Sequence, residues 1–277
     1  MHTYSHTLPR GAICVFASLI FFLTFFGLNA VAAPTLPVAH SHSSPVANAE
    51  VALGIKYESG IGVPRDYAKA VRYYRLAAAQ GSAQGEAHLG DMYYSGHGVP
   101  QNYAIALHYY QLSAAQGNAD GENHLGLIYE HGHGVTQDYA KALHYYQLSA
   151  AQGEAYGESN LGFMYDDGHG VTQDYAKALH YYQLSVAQGN AHGENNLGNM
   201  YENGDGVTQD YATAVHYYQL AAAQGNRTAE SNLGYMYEHG YGVTQDYSVA
   251  LHYYHLAAAQ GDAYAAAGVA RLSKLIK

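Results

Sequence analysis

The sequence is poor in cysteine, tryptophan and charge, and the shortages of cysteine and of basic residues exclude whole classes of protein. The 277 residues include no tryptophan and only one cysteine, Cys14. Because there is a single cysteine, neither an internal disulfide framework nor a thiolate-based zinc or iron–sulfur site can form. Charged residues make up only 12% of the chain, with 12 Lys and Arg against 22 Asp and Glu. Because neutralising phosphates requires clustered Lys and Arg, this balance argues against a nucleic-acid-binding protein.

Hydrophobic residues and tyrosine, in contrast, are abundant. Hydrophobic residues make up 48% of the chain, which is enough for a sizeable core and excludes wholesale disorder. The chain also contains 30 tyrosines, a number that requires a structural explanation.

The first 32 residues have the three-part layout of a secretory signal peptide. A polar start precedes an apolar run over residues 11–27, and Ala-Val-Ala at residues 30–32 is the small-residue pattern at which signal peptidase cuts. We predict cleavage after Ala32 and a secreted or periplasmic protein. The alternative is an uncleaved membrane anchor, since residues 11–33 are long enough to span a bilayer.

From residue 48 onward the sequence repeats with a period of 36 residues. The dipeptide Leu-Gly marks this period six times without an insertion, at Leu53, Leu89, Leu125, Leu161, Leu197 and Leu233. Such a period is typical of a solenoid, whose units bury their apolar faces only against their neighbours. We predict a Pro/Ser/His-rich linker, six units and a C-terminal cap: residues 33–47; residues 48–84, 85–120, 121–156, 157–192, 193–228 and 229–264; and residues 265–277.

Each unit is predicted to be a pair of antiparallel helices. In the third unit Leu125, Ile128 and Tyr129 form one apolar helical stripe, and the Gly-His-Gly sequence at residues 132–134 ends that helix. Thr136 is predicted to be the N-cap of the second helix.

The residues that flank this cap fit the same interpretation. Asp138 adds negative charge where the helix dipole favours it. Pro64 and Pro100 replace the threonine in the first two units, which suits a position in the first turn of a helix.

A glycine, such as Gly126, lies in the middle of every predicted first helix. Glycine there costs about 1 kcal/mol relative to alanine, so its recurrence predicts the close approach of another helix. Four tyrosines also recur in each unit, at the positions of Tyr129, Tyr139, Tyr145 and Tyr146, and account for 24 of the 30. We interpret them as a packed layer between helices, with hydroxyls that reach backbone or solvent.

Within one unit these residues form a specific motif. In the fourth unit the motif residues are Gly162, Met164, Tyr165, Gly168, Gly170, Val171, Asp174, Tyr175, Lys177, Ala178 and Gly189. The motif resembles the Sel-one-like repeat family, a relative of the tetratricopeptide repeats, over about residues 48–264. The chain departs from the family in having Tyr-Tyr where Trp-Tyr is common in the second helix. The resemblance implies an all-α, right-handed α-solenoid that binds other proteins and assembles complexes.

Positions that differ between units can recognise a ligand, whereas positions common to all units are structural. By analogy with tetratricopeptide solenoids, the first helices line the concave surface, where apolar anchors among carboxylates form a peptide groove. The alternative is that these positions are merely solvated. The predicted partner-binding residues are Asp91, Tyr94, Leu127, Glu130, Phe163, Asp166, Asn199, Glu202, Tyr235 and Glu238.

Acidic residues dominate the middle of the array. Between residues 76 and 226 there are 15 acidic residues, and the basic residues are only Lys141 and Lys177. An acidic trough here would favour a basic partner and accelerate its association at low salt. A solvated acidic face that serves solubility is an equally good interpretation.

The 18 histidines suggest a chemical alternative. One histidine recurs in each of five second helices, but equivalent residues two helices apart are too distant to share a metal ion. Protonation near the reference pKa of about 6.5 makes partner binding that changes between about pH 7.5 and 5 the better expectation. These histidines are His108, His144, His180, His216 and His252.

Support for catalysis is weak. No G-x-S-x-G, H-E-x-x-H or P-loop motif occurs, and we expect no catalytic residue, cofactor or metal. One disulfide-rich branch of the family is credited with β-lactam binding or hydrolysis, but its cysteine pair per repeat is missing here. The first interpretation is a protein-interaction scaffold. The alternatives are a pH- or metal-responsive His-rich binder and a cell-wall or β-lactam hydrolase.

Overall fold

A computed structural model describes residues 44–275 and shows thirteen α-helices and no strand within them. The predicted signal peptide, residues 1–32, lies outside the described residues, as does most of the predicted linker. None of the helices in the described range is long and apolar enough to cross a membrane. In chain order they are α1 (Pro45–Ser59), α2 (Tyr67–Ala79), α3 (Ala83–Ser95), α4 (Tyr103–Ala115), α5 (Ala119–His131), α6 (Tyr139–Ala151), α7 (Ala155–Asp167), α8 (Tyr175–Ala187), α9 (Ala191–Asn203), α10 (Tyr211–Ala223), α11 (Arg227–His239), α12 (Tyr247–Ala259) and α13 (Ala263–Leu275).

The odd-numbered helices α1 to α11 are the first helices of the six units, and the even-numbered helices are the second. Each pair packs together, and each second helix packs on the first helix of the next unit, which confirms the predicted all-α solenoid. First helices of neighbouring units also contact one another, as α3 and α5 or α7 and α9 do. Within residues 44–275, second helices of neighbouring units make no comparable contact, so the first helices lie on the inner side of the stack.

The glycine in each first helix lets the second helix approach closely, as predicted. A Cβ atom built on Gly162 would lie 2.7 Å from the ring of Tyr182, far inside van der Waals contact. Tyr182 is fully buried, and the same glycine and tyrosine meet in every unit. In each of the six units the tyrosine ring therefore packs directly against the backbone of the first helix at its glycine.

The second helices begin at a different residue from the one predicted. The N-cap of α6 is Asp138, whose carboxylate accepts a hydrogen bond from the N–H of Lys141. Thr136 lies two residues earlier in the turn, so the predicted cap was wrong. The N–H of Asp138 is bonded to the carbonyl of Tyr129 at 2.8 Å, which fixes the length of the turn. Pro64 likewise precedes the N-cap of α2 and lies outside its first turn.

Both ends of the array differ slightly from the predicted boundaries. Ser44 caps α1, which begins at Pro45, so the last three residues of the predicted linker are helical. At the other end α13 begins two residues before the predicted cap, and its Leu272 is fully buried in a cluster with Tyr254. α13 therefore packs on α12 and α11 as the first helix of another unit would.

Candidate functional site

We define the first-helix face as the stripe formed by three positions of α3, α5, α7, α9 and α11. These are the second residue of the helix, the residue before the Leu-Gly pair, and the second residue after that leucine. Their spacings of four and three residues place them on one side of a helix, and none is fully buried. The residues are Gln84, His88 and Asp91; Asp120, His124 and Leu127; Tyr156, Asn160 and Phe163; His192, Asn196 and Asn199; Thr228, Asn232 and Tyr235.

The carboxylates five residues after the leucine, which were predicted to border an open groove, each bond to a buried tyrosine. The hydroxyl of Tyr146 donates to Glu130 at 2.5 Å, and Glu130 is only 8% exposed. At the fully buried position of Tyr146 the hydroxyl therefore reaches a carboxylate, and not backbone or solvent as predicted, because a buried hydroxyl needs a partner. The equivalent pairs are Tyr74–Glu58, Tyr182–Asp166, Tyr218–Glu202 and Tyr254–Glu238.

Burial shifts the pKa values of these groups. It raises the pKa of Tyr146 well above its usual value, an effect that the adjacent Glu130 reinforces. Burial also raises the pKa of Asp166. At Glu238 burial acts in the same direction, but hydrogen bonds from Arg271 and Tyr254 outweigh it, so the pKa is lowered.

In the second unit a different residue accepts the hydrogen bond of the buried tyrosine. Tyr94 occupies the position that holds a carboxylate in the other units, and its hydroxyl meets Nδ1 of His133 at 2.8 Å. The buried Tyr110 donates instead to Asp91, one helical turn earlier, at 2.9 Å. Asp91 is therefore both a predicted partner-binding residue and the acceptor for a core hydroxyl.

Asp91 lies between two histidines in a pocket of about 330 Å³. Nε2 of His124 is 2.6 Å from its carboxylate, and Nδ1 of His88 is 3.7 Å away. Burial would raise the pKa of Asp91, but both histidines counteract it and the pKa is lowered. Burial would lower the pKa of His88, and Asp91 reverses this, so the pKa is raised. The lining residues are Glu58, Asp91, Met92, Tyr94, Ser95, His97, Tyr110, His124 and Leu127.

A second pocket adjoins the first on the same face and has a volume of about 260 Å³. It shares His124 and Leu127 with the first pocket. Between α5 and α7, the carboxamide of Asn160 donates to Asn123 at 2.8 Å. The side chain of Tyr156, 51% exposed, closes one side. The lining residues are Asn123, His124, Leu127, Tyr156, Asn160 and His192.

The remaining predicted residues lie further along the face. The ring of Phe163 meets His169 edge to face, with centroids 5.7 Å apart. Tyr235 stacks obliquely on His239 at 4.3 Å. Asn199 accepts a hydrogen bond from Asn232 at 3.2 Å, and its Oδ1 lies 2.7 Å from the hydroxyl oxygen of Tyr218.

Most carboxylates of the predicted acidic trough have structural partners. Glu158 is buried and accepts a hydrogen bond from Gln188 at 2.7 Å, and burial raises its pKa. Other carboxylates cap helices, as Asp138 does. The acidic composition therefore overstates the number of carboxylates that are left without a structural partner. The glutamates bonded like Glu158 are Glu86, Glu122, Glu194 and Glu230, and the other acidic caps between residues 76 and 226 are Glu154, Asp174 and Asp210.

The histidines of the second helices are exposed and lie away from this face. His144, for example, contacts the ring of the adjacent Tyr145. No three His, Cys, Asp or Glu side chains within residues 44–275 come together in a way that could hold a metal ion.

Sequence reasoning missed several residues of the two pockets, among them His124, Tyr156, Asn160 and His192, and it also missed His88, which faces Asp91. Two of the three positions that define the face were not considered, although they vary between units as the chosen position does. Comparison of units at a spacing of four and three residues would have found them.

The six units correspond to a known repeat. The sequence model of the Sel1 repeat matches residues 47–82, 83–118, 119–154, 155–190, 191–226 and 228–262, boundaries about two residues earlier than predicted. No curated protein matches the chain significantly.

Solved structures show the same fold. A protective antigen present in uropathogenic Escherichia coli strains, with a Sel1-like repeat fold, is 36% identical with a TM-score of 0.59. The alignment covers 79% of this chain and 47% of the antigen, so the chain spans about half of that protein. A Sel1 repeat protein from Oxalobacter formigenes is 28% identical with a TM-score of 0.66, over 80% of this chain and 88% of that one. An immunity protein from Pseudomonas aeruginosa, 23% identical with a TM-score of 0.57, shares the fold over 78% of this chain and 82% of its own length.

Proposed function

Because this chain belongs to the Sel1 repeat family, whose members act as protein–protein interaction scaffolds, we propose that it binds a protein partner on its first-helix face. The second helices present nearly the same residues in every unit, which suits a scaffold. The first-helix face differs from unit to unit, which suits recognition.

The observation that supports this face most strongly is the pair of adjoining pockets. Together they place apolar surface from Leu127, rings from Tyr94 and Tyr156, and the carboxylates of Glu58 and Asp91 along neighbouring first helices. Partly buried aromatic and apolar side chains beside charged groups are typical of binding hot spots.

A pull-down from the cells that produce the chain tests the proposal. The full chain is compared with Phe163→Ala, Tyr235→Ala and a matched control, Leu148→Ala, in which an exposed leucine of α6 is removed. We expect the first two variants to capture at least about tenfold less of any partner that the wild type retains, while the control is unchanged. Equal capture by all four proteins would remove the first-helix face from consideration.

We further propose that the protein acts outside the cytoplasm, in the periplasm or after secretion. The support is the signal-like layout of residues 1–32. N-terminal sequencing of the protein recovered from culture fractions should begin at Ala33. A chain that begins at Met1 and stays with membranes would favour the uncleaved anchor.

A pH-responsive form of the same binding function has one specific observation in its favour. His88 and His124 bracket Asp91 at the pocket where a partner would bind. Burial would lower the pKa of His88, but Asp91 outweighs it and raises the pKa, so the charge beside Asp91 changes when His88 loses its proton.

A further inference from the structure

The first-helix face combines a pocket with carboxylates, an adjoining apolar pocket and a row of asparagines. The first pocket, which contains Asp91, is lined by two carboxylates, two tyrosine rings and two histidines, and no Lys or Arg of the described chain lines it. Asp91 already contacts His124 at 2.6 Å, so Glu58 is the carboxylate that offers an oxygen to a ligand. The second oxygen of Glu58 has no hydrogen-bond donor within residues 44–275, because only Oε2 is bonded to Tyr74. Carboxylates beside aromatic faces match a guanidinium or an ammonium group.

The pocket between α5 and α7 has a different chemistry. Leu127 and Tyr156 supply apolar surface, and Asn123 and Asn160 supply carboxamides. A volume of about 260 Å³ accommodates one aliphatic or aromatic side chain. This pocket therefore suits an apolar residue, whereas its neighbour suits a basic one.

Asparagines continue the same register into the later units. Asn160, Asn196 and Asn232 precede the leucine in the fourth, fifth and sixth units, and all three are half-buried. Asn160 uses its NH₂ group to bond Asn123, and its carbonyl oxygen has no donor within residues 44–275. Asn232 uses its NH₂ group to bond Asn195 and Asn199, and the oxygen of Asn196 accepts a hydrogen bond from Asn195. Within residues 44–275 this leaves the oxygens of Asn160 and Asn232, which match a peptide N–H, and the NH₂ of Asn196, which matches a peptide C=O.

The distance between neighbouring units determines how many residues of an extended peptide span one unit. Packed helices lie about 8–10 Å apart, and an extended peptide advances about 3.3 Å per residue. A peptide that crosses the first helices therefore advances about three residues per unit. The gap between α3 and α5 and the gap between α5 and α7 are one unit apart.

We propose that the first-helix face binds an extended peptide segment of its partner, with an apolar side chain between Leu127 and Tyr156. A Lys or Arg three or four residues away occupies the pocket of Glu58 and Asp91. The carboxamide oxygens of Asn160 and Asn232 accept hydrogen bonds from N–H groups of the peptide backbone, and the NH₂ of Asn196 donates to a backbone carbonyl. This inference rests on the proposed function, which it deepens by naming the chemistry and spacing of the bound segment.

Synthetic peptides test the inference directly. The probes are fluorescein-labelled Gly/Ser peptides of about twelve residues with one Leu and one Arg, in both orders, separated by one to six positions. We expect the full chain to bind those with a separation of three or four at least about fivefold more tightly than those with a separation of one. Equal affinity at every separation, or no binding by any peptide, would overturn the inference.

Two variants identify the pockets. Asp91→Asn keeps an acceptor for Tyr110 but removes the charge, and should abolish the preference for Arg over Glu in the best peptide. Leu127→Ala should weaken the Leu-containing peptide, whereas Leu148→Ala should not. Unchanged binding in both pocket variants would contradict the assignment. If the peptides fail to bind as expected but Phe163→Ala still reduces capture in the pull-down, only the binding of an extended peptide is rejected. The proposed function then stands.

Discussion

Tyr146 and Glu130 form a buried hydrogen bond that joins the second helix of a unit to the end of its first helix. The ring lies over Gly126, and the hydroxyl reaches the carboxylate at 2.5 Å. Four other units repeat this arrangement, one of them with an Asp in place of Glu, and in the second unit Asp91, one turn earlier, is the acceptor. One of the four recurring tyrosines of each unit and part of the acidic content of the chain therefore have one structural cause.

Removal of that hydroxyl should destabilise the array. Tyr146→Phe leaves the buried Glu130 without its donor, so we expect the free energy of unfolding to fall by about 1–3 kcal/mol. Urea unfolding followed by circular dichroism measures the change. The matched control is Tyr145→Phe, whose ring stacks on Tyr129 and is partly exposed. It should stay within about 0.5 kcal/mol of the wild type, and equal losses in both variants would contradict the account.

Alanine at the glycine of a first helix should destabilise the protein although alanine is the better helix former. In Gly162→Ala the new methyl would lie 2.7 Å from the ring of Tyr182. Overpacking of about 1–3 kcal/mol should exceed the helix-propensity gain of about 1 kcal/mol. Thermal unfolding in a Tyr182→Leu background provides the control. There the same substitution should stabilise, and persistent destabilisation would show that the ring is not the obstacle.

The buried glutamates predict a dependence of stability on pH. Burial raises the pKa of Glu158 above its ordinary 4.5, so ionisation disfavours the folded state. The favourable contribution is complete below pH 4.5 and is lost as pH rises through the raised folded-state pKa. Glu158→Gln should therefore be more stable than the wild type at neutral pH and lose this advantage in acid. Asp120→Asn, at an exposed position, should show no such trend in unfolding measured from about pH 4 to 8.

The histidine next to Asp91 predicts a trend in a higher pH window. Because Asp91 raises the folded-state pKa of His88 above 6.5, the protonated form is favoured in the folded protein. Its stabilising effect is complete below pH 6.5 and is lost as pH rises through the folded-state pKa. The free energy of unfolding of His88→Gln should be closest to that of the wild type in alkaline buffer. As pH falls, the variant should become less stable than the wild type. Parallel stability curves for the two proteins would show that the contact with Asp91 does not matter.

The sequence predicted the fold well because its period records which residues must pack in every unit. The capping residue was harder to predict. Thr136 and Asp138 can both cap a helix, and the choice depends on a bond between Asp138 and Tyr129 that closes the turn. Only tertiary structure fixes the length of that turn.

The candidate site was predicted only in part. Glu130 is nearly buried and accepts a hydrogen bond from Tyr146 of the second helix, so the variation between Asp and Glu at this position reflects the buried tyrosine. The second unit contained the clue, because the one unit with Tyr94 in place of a carboxylate has Asp91 one turn earlier. The pockets themselves arise between units and depend on how closely neighbouring first helices pack, which the sequence of one unit does not contain.

The most direct test of the account is site-specific photo-crosslinking in the cells that produce the protein. A photoreactive benzoylphenylalanine replaces either Tyr156, on the first-helix face, or Tyr247, at the start of a second helix; both side chains are exposed. The account predicts a crosslinked partner from position 156 and none from position 247. A partner crosslinked only from position 247, or equally from both, would contradict recognition by the first-helix face.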